Sequence, residues 1–557
     1  MGAAEQQIRS SVSALAGAFR NANIRRLQLA WLCFWSADAG CLVAFGVYAF
    51  NIGGASAVGL IGVARTAPAA LLAPFLAGQL DRHPRERVMA AGLVARAVLV
   101  VTVAIALSAG WPTWAVLTLA AVDATIATTY WPAQNALIPS LAQSPEEMTA
   151  ANVATSAVEG IAVLVGPALA ALILAAAAPP WVFIWAAGTL LAAAGIAFRI
   201  RIPDNMTAGH QPQQPLLGFA HSIADGLHAL RADPHSRMVV ALFGVFNFVH
   251  GTVATLVVVA ALELYRLGDP GVGLLTAAIG MGAMVGGLGS LLLVGTRTLA
   301  VPLGLAMIAA GTMLIGPGLF PLVAVGVLCL FVHGIASPIA DVAVITLLQR
   351  LVPGEVLGRV FGVVEGFYCG PFGIGAIAAA ELVNRIGVRW ALGVCGASLP
   401  VLVVLCLPAL RAIDRATVVP ARQIALLRAI ALFAPLPPQI VEPLARALVP
   451  VAVAAGEFAV RQGESGGHYY VVDQGQFEVQ IDGRVVRTLG PGDHFGEIAL
   501  LKDLPRTASV RAVTNASLYS LGREEFLAAI SGNARSLSAA NHIADIRLYE
   551  HGPGVGT

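Results

Sequence analysis

Apolar runs long enough to cross a bilayer, which takes about 20 residues, recur through most of this chain. They fall at residues 27–50, 56–80, 88–109, 113–138, 150–176, 181–198, 238–262, 272–295, 300–316, 320–347, 359–383 and 388–409. That makes twelve spans, six on each side of a polar stretch from Arg199 to Arg237. Backbone N–H and C=O groups find no water in lipid, so only helices or closed barrels cross it. Runs of this length read as helices. The chain is 57% hydrophobic and only 11% charged, against about a quarter charged in soluble proteins. A net charge of +2 without a basic run leaves no electrostatic footprint for nucleic acid.

Arginine placement sets the orientation. With the N-terminus inside, Arg82, Arg85, Arg87, Arg199, Arg201, Arg297, Arg350 and Arg411 are cytoplasmic, and only Arg266, Arg385 and Arg389 lie outside. An even number of spans returns the C-terminal residues to the cytoplasm. The single lysine, Lys502, among many arginines suggests a GC-rich bacterial genome. The six cysteines sit in apolar segments without CxxC spacing, so neither a metal site nor a disulfide framework is indicated. The first 26 residues are mixed polar and do not read as a cleavable signal.

The two halves echo each other. Val158-Glu159-Gly160 in the fifth span is matched by Val364-Glu365-Gly366 in the eleventh, and Pro132-Ala-Gln-Asn-Ala-Leu-Ile-Pro139 by the Pro338-to-Pro353 stretch. Repeated halves around a central loop are the build of secondary transporters, with substrate held near the midplane. No Walker-type loop offers ATP as the energy source. A charge at the bilayer centre costs about 2.5–3.5 kcal/mol on insertion scales, so each buried one needs a reason. Asp38, Arg65, Arg96, Asp123, Glu159, His250, Asp341 and Glu365 are the candidates. Interhelical ion pairing is one explanation for each. For Asp38, Arg65, Glu159, Asp341 and Glu365 a role in transport is the other, because a carboxyl group in a low-dielectric cavity can exchange a proton near neutral pH. Residues 217–231 carry apolar groups at helical spacing and read as a surface helix.

After Leu448 the apolar period becomes two. Tyr469–Val472 and Phe477–Ile481 read as strands, and Asp482-Gly483 as a hairpin turn. The stretch Phe495-Gly-Glu-Ile-Ala-Leu-Leu-Lys-Asp-Leu-Pro-Arg-Thr-Ala-Ser-Val510 combines a turn glycine, a short apolar helix and Arg506 ahead of a strand. Helix-start N–H groups and one forked guanidinium suit a phosphodiester anion. Glu497 suits a ribose hydroxyl, as the acidic residue of dinucleotide folds does.

This stretch resembles the phosphate-binding cassette of cyclic-nucleotide-binding domains, F-G-E-[LI]-A-L followed by R-[TAS]-A-x-V. The resemblance covers about residues 428–549 and implies that Phe495, Gly496, Glu497, Ile498, Ala499, Arg506, Thr507 and Ala508 form the site. Backbone groups of Gly496, Ile498 and Ala499 and the Arg506 side chain would take the cyclic phosphate, and Glu497 the ribose 2′-hydroxyl. In that family the last helix closes over the base, which makes Ile543, Ile546 and Arg547 lid candidates. Thr507 allows cAMP or cGMP; analogy favours cAMP.

Residues 15–410 resemble the major facilitator superfamily, nearest its enterobactin-exporter-like branch. Ala77-Gly-Gln-Leu-Asp-Arg-His-Pro-Arg-Glu-Arg87 resembles the superfamily's G-x-L-A-D-R-x-x-R-R loop. By that resemblance Asp81, Arg82 and Arg85 latch helix ends, although Ala77 replaces the leading glycine. Gly166-Pro167 among small residues resembles the antiporter motif, and Gly282 and Gly286 offer a similar close-packing face.

The fold expected is all-α in the membrane: a twelve-helix major facilitator fold in two six-helix halves, with a C-terminal cytoplasmic β-roll and flanking helices. The domains expected are an N-terminal segment (1–24), the first half (25–202), a central loop (203–236), the second half (237–410), a linker (411–427) and a cyclic-nucleotide-binding domain (428–557). The function expected is proton-coupled export of small amphipathic, drug-like or siderophore-like molecules across a bacterial inner membrane, regulated by cyclic nucleotide. A membrane receptor that senses the nucleotide without moving solute is the alternative, and a constitutive transporter with a silent domain a third. Lipid, cyclic nucleotide and a small-molecule substrate are the partners expected, and pairing of two copies through the C-terminal domain is allowed. No enzymatic activity, cofactor or metal is expected.

Overall fold

The computed structural model describes residues 21–80, 85–141, 145–200, 233–290, 298–352, 354–416, 421–436, 438–531 and 534–549, with isolated residues near 230 and at 293. Asp81 and Arg82 of the expected latch and nearly all of the expected 217–231 helix lie outside these residues. So do the side chains of Arg85 and Glu365, although both backbones are helical. The chain forms two compact units, the first ending at Thr417 and the second beginning at Val418.

The first unit is helical. Among the described residues, nine helices are long and apolar enough to cross a membrane. The chain order is α1 (Ala22–Leu80), α2 (Arg85–Ser108), α3 (Thr113–Ala127), α4 (Tyr130–Leu141), α5 (Pro145–Ala176), α6 (Pro180–Ala197), α7 (Pro234–Val259, continued by a π turn Ala260–Leu264), α8 (Asp269–Ser290), α9 (Ala300–Leu319), α10 (Val323–Leu351) and α11 (Gly354–Ala416). Two of them are interrupted. α1 breaks at Gly53-Gly54 and α11 at Gly387, where φ reaches 58° and 79°. A β-carbon resists that left-handed backbone, so glycine permits both reversals. The shorter α3 and α4 follow each other across Thr128-Thr129 where a single fourth span was read.

Helix approach depends on small residues, because lipid tails compete with any apolar side chain and close backbone packing must supply the attraction. A β-carbon on Gly282 would strike the Phe331 carbonyl of α10, and one on Gly286 the Ile335 carbonyl. Gly334 of α10 meets α8 in the same way at Ile279. The small face read at Gly282 and Gly286 therefore packs α8 on α10. Gly166 rests against the Ser36 backbone of α1, and the Pro167 carbonyl stands 2.6 Å from where Gly273 would carry a β-carbon.

The second unit begins with α12 (Ala421–Ala429) and α13 (Pro438–Ala447), separated by a turn containing Pro435. Pro438 opens its helix, where the missing N–H costs nothing. Eight strands follow: β1 (Val449–Val453), β2 (Phe458–Val460), β3 (His468–Gln474), β4 (Phe477–Ile481), β5 (Arg484–Leu489), β6 (His494–Phe495), β7 (Ser509–Ala512) and β8 (Ala516–Gly522). They form two four-stranded sheets, ordered β1-β8-β3-β6 and β2-β7-β4-β5, with antiparallel pairing. Asp482 and Gly483 both have positive φ, 49° and 79°, between the paired ends Ile481 and Arg484. That is the two-residue hairpin expected.

Strand β3 shows how the unit is built. Successive side chains alternate between faces, so Tyr469 and Val471 pack with Leu427, Phe433, Leu436 and Phe526 in the helical core. Val472 and Tyr470 face the other way, with Phe477, Leu489, Phe495 and Val510 between the sheets. Between β6 and β7 lies α14 (Glu497–Leu501), and α15 (Arg523–Ser531) and α16 (Ala534–Tyr549) complete the unit.

Replacing Gly282 by Val should force α8 from α10. Overpacking of this kind costs about 1–3 kcal/mol. Thermal unfolding in detergent should show a midpoint lowered by several degrees, whereas Val at Gly287, which has open space around it, should leave the midpoint nearly unchanged.

Candidate functional sites

The cassette in the second unit is organised by Gly496. Its φ of 98° turns the chain from β6 directly into α14. A β-carbon there would stand 2.6 Å from Arg506 Nη1 and 2.9 Å from the His468 carbonyl oxygen. Gly466 makes a similar concession, since its β-carbon would stand 2.5 Å from that of Ala499 and 3.2 Å from Arg506 Cζ. Two bare backbones thus bring the loop before β3, the start of α14 and Arg506 together.

Arg506 is 6% exposed. Its Nη2–H donates to the His468 carbonyl at 2.7 Å and its Nη1–H to the Gly496 carbonyl at 3.2 Å. The Arg506 backbone N–H donates to the Glu464 carbonyl, and its own carbonyl accepts from Gly463. The Tyr470 ring lies beneath the guanidinium, 5.7 Å from its carbon. Burial pulls the guanidinium below the ordinary arginine range, and Tyr470, Glu497 and Glu464 only partly offset this. Among the described residues it forms no ion pair. A buried cation fixed by carbonyl dipoles, with Glu497 and Glu464 acting on it without a direct ion pair, is chemically suited to an anion.

Glu497 is 1% exposed. Its Oε1 accepts from Arg547 Nη1 of α16 at 2.6 Å, and Arg547 also donates to the His494 carbonyl at 3.1 Å. Oε2 has no hydrogen-bond partner; His494 Nδ1 stands 3.8 Å away, too far for a hydrogen bond but near enough to attract when protonated. Burial pushes the carboxyl up, but His494 and Arg547 outweigh it and hold Glu497 below the usual carboxylate range. Arg547, read from sequence as a lid candidate, is therefore a partner of the proposed ribose ligand.

Ala499 is buried, Ile498, Thr507 and Ala508 are half-buried, and Phe495 packs between the sheets, stacked on Tyr470 at 5.0 Å. The structure thus brings together Gly496, Glu497, Ala499, Arg506 and Arg547, and uses Phe495 as a core residue beneath them. His468, Gly466 and His494 were not singled out from sequence. The Gly466-Gly467 pair ahead of an apolar strand was the available sign of a close approach.

The charged groups singled out within the apolar runs, and whose side chains are described, fall into two sets. Asp38, Arg65, Arg96 and Asp123 make one connected network across α1, α2 and α3. Arg96 Nη2 reaches Asp38 Oδ1 at 2.6 Å, and Arg96 Nε and Nη2 reach the two Asp123 oxygens at 2.8 and 3.1 Å. Arg65 stands 3.4 Å from Asp38 and 3.7 Å from Asp123. Phe45 and Phe34 rings lie near the two guanidinium groups, at 5.1 and 5.0 Å. Two cations and two anions balance, so Asp38 and Arg65 sit in a neutral network.

Glu159 of α5 and Asp341 of α10 are different. They interact electrostatically although they come from different halves. Both are half-buried, and among the described residues neither forms an ion pair or hydrogen bond. Asp341 follows Ser337 by about one turn, and Ser337 Oγ is 2.8 Å from His250 Nε2. The His250 and His333 rings are 5.5 Å apart. Sequence symmetry pairs Glu159 with Glu365; the fold puts Asp341 near it.

Residues 29–328 match the family model of the Major Facilitator Superfamily, more than half of the chain. The chain belongs to the major facilitator superfamily. This agrees with the superfamily resemblance of the sequence, while no finding assigns the enterobactin-exporter branch. Residues 450–533 match the model of the cyclic nucleotide-binding domain, so this superfamily member carries both in one chain. Among curated relatives, an uncharacterized protein of Mycobacterium tuberculosis is 39% identical over 100 residues, 18% of this chain and 20% of that protein. The chain thus spans about a fifth of the length of the curated relatives it matches. Among solved structures, the regulatory domain of Toxoplasma gondii PKA crystallised with cAMP is 35% identical, covering 20% of this chain and 44% of that one with a TM-score of 0.19. The sensor domain of the transcriptional regulator DNR from Pseudomonas aeruginosa is 21% identical, covering 25% and 96%, with a TM-score of 0.23.

Because Glu497 titrates below its ordinary value when folded, its contribution is present above the unfolded value, about 4.3. It is lost as pH falls through the lowered folded value. Arg547→Ala leaves burial to dominate and should cost about 3 kcal/mol at neutral pH. Unfolding of the C-terminal unit, followed in the full-length protein by hydrogen exchange in β3, should show that gap at pH 7 and a narrower one near pH 4.

Proposed function

We propose that this superfamily member is a secondary transporter whose inward–outward equilibrium is set by a cyclic nucleotide bound at Arg506 and Glu497. The observation that carries the regulatory part is Arg506: a buried guanidinium without an ion pair among the described residues, oriented by two carbonyls at the start of a short helix. A cyclic phosphate supplies the missing anion, and its ribose hydroxyl suits the neighbouring carboxylate. Gly496, Ile498 and Ala499 contribute backbone groups, and Thr507 and Ala508 border the base. cAMP is the favoured ligand, by analogy, with cGMP the competitor.

In the membrane part, counting α1 and α11 as two spans each and joining α3 to α4 gives twelve spans in two sets of six. The arginine distribution then places both termini in the cytoplasm of a bacterial cell. Glu159 and Asp341 are the coupling-proton candidates, because among the described residues they have no ion pair or hydrogen bond and they interact across the two halves. Glu365 remains their symmetry-related alternative. Asp38 and Arg65 are better suited to holding the first half rigid with Arg96 and Asp123. Asp81, Arg82 and Arg85 latch the cytoplasmic helix ends. Small amphipathic, drug-like or siderophore-like molecules leaving the cell are the substrates that fit this reading.

Regulation needs only differential affinity. A hundredfold preference of the nucleotide for one state shifts the balance by about 2.7 kcal/mol.

Calorimetric titration of cAMP and cGMP into full-length protein tests the sensor. Micromolar binding is expected, weakened at least about thirtyfold in Arg506→Ala, since removing one member of a buried charge pair costs about 2–5 kcal/mol. No binding of either nucleotide, or equal binding by the variant, would overturn it. For transport, proton-driven flux in vesicles should be lost in Glu159→Gln or Asp341→Asn and kept when Arg96 and Asp123 are replaced together by Met and Leu. Intact flux in both carboxamide variants would reject the coupling assignment.

A further inference from the structure

The last membrane helix does not stop at the end of its apolar run. α11 continues through Arg411 to Ala416, and five residues later the sensor's first helix, α12, begins at Ala421. The final turn of α11 is therefore the last described turn of the first unit.

That turn is tied to the start of α9. Asp414 Oδ1 accepts hydrogen bonds from the backbone N–H groups of both Leu299 and Ala300, each at 3.0 Å. These groups open α9. The N-cap residue of α9 is Leu299, whose side chain makes no capping bond, and Thr298 ahead of it is exposed. Helix starts carry unsatisfied N–H groups and partial positive charge, which a local Ser, Thr, Asp or Asn ordinarily meets. Here the carboxylate comes from 114 residues away. Packing reinforces the tie. Leu299 and Ile413 are fully buried, and Leu410 Cδ1 would lie 3.5 Å from a β-carbon on Gly304, one turn into α9.

We propose that Asp414 is the coupling residue through which the sensor acts on the transporter. A change in the second unit that reaches α11 through the chain meets this final turn first, and the carboxylate passes it to the start of α9. By the six-and-six repeat, α9 is the second-half counterpart of α2, the helix that follows the expected latch loop. The sensor thereby acts on the matching loop of the other half. The proposal rests on nucleotide binding at Arg506, and its test separates the two.

Hydrogen exchange in peptides covering residues 299–305 is followed in full-length protein with and without saturating cAMP, beside calorimetry of the same samples. In the wild type, cAMP should change exchange there about tenfold. In Asp414→Ala, cAMP should still bind, with an affinity altered by no more than the lost coupling, exchange should be fast without ligand, and the cAMP response should vanish. Asp414→Asn keeps an acceptor and should keep the response. Ala300→Pro removes one donor at a position where helices accept proline and should reduce it, which serves if Asp414→Ala does not fold. An undiminished response in Asp414→Ala or Ala300→Pro would overturn the proposal, as would a wild type that binds cAMP without any change at residues 299–305. Absence of cAMP binding would instead overturn the sensor reading beneath it.

Discussion

A charge removed from water must be met by another charge or by aligned dipoles, and the arrangement of this chain follows from how each one is met. In the first unit Asp38, Arg65, Arg96 and Asp123 neutralise one another and tie three helices together. In the second, Arg547 and His494 hold Glu497 ionised beneath the surface. Among the described residues, Arg506 has carbonyl dipoles but no ion pair, and Glu159 and Asp341 have each other's like charge but no ion pair with a cation. Those exceptions are the places where the proposed ligand and coupling proton would act.

The same constraint explains what could be read from sequence. Chain-local features were legible: the long apolar runs, the Asp482-Gly483 hairpin, the switch to period two at β3, and the cassette from Phe495 to Val510. Each depends on residues within a few positions of one another. What sequence alone did not supply is pairing across distance. Arg96 meets Asp38 from 58 residues away and Arg547 meets Glu497 from 50. Internal symmetry pointed from Glu159 to Glu365, whereas Asp341 of α10 is the residue that acts on it electrostatically. The break of the fourth span into α3 and α4 was hidden as well, because both pieces are apolar.

The backbone contacts at glycines bear on motion. α8 and α10 approach until a single methyl group would collide with a carbonyl. Packing this tight favours helices that move as bodies over helices that bend singly. A regulator of such a machine must act where a body can be gripped. The shared end of α9 and α11, capped by Asp414 beside the chain's exit to the sensor, offers that grip.

The most direct measurement of nucleotide control is the distance between spin labels at Arg87 of α2 and Gln349 of α10, both exposed and one in each half, in full-length protein within lipid nanodiscs. The account predicts two distance populations whose ratio changes on saturation with cAMP and does not change in Arg506→Ala. A wild-type distribution identical with and without bound cAMP would contradict it.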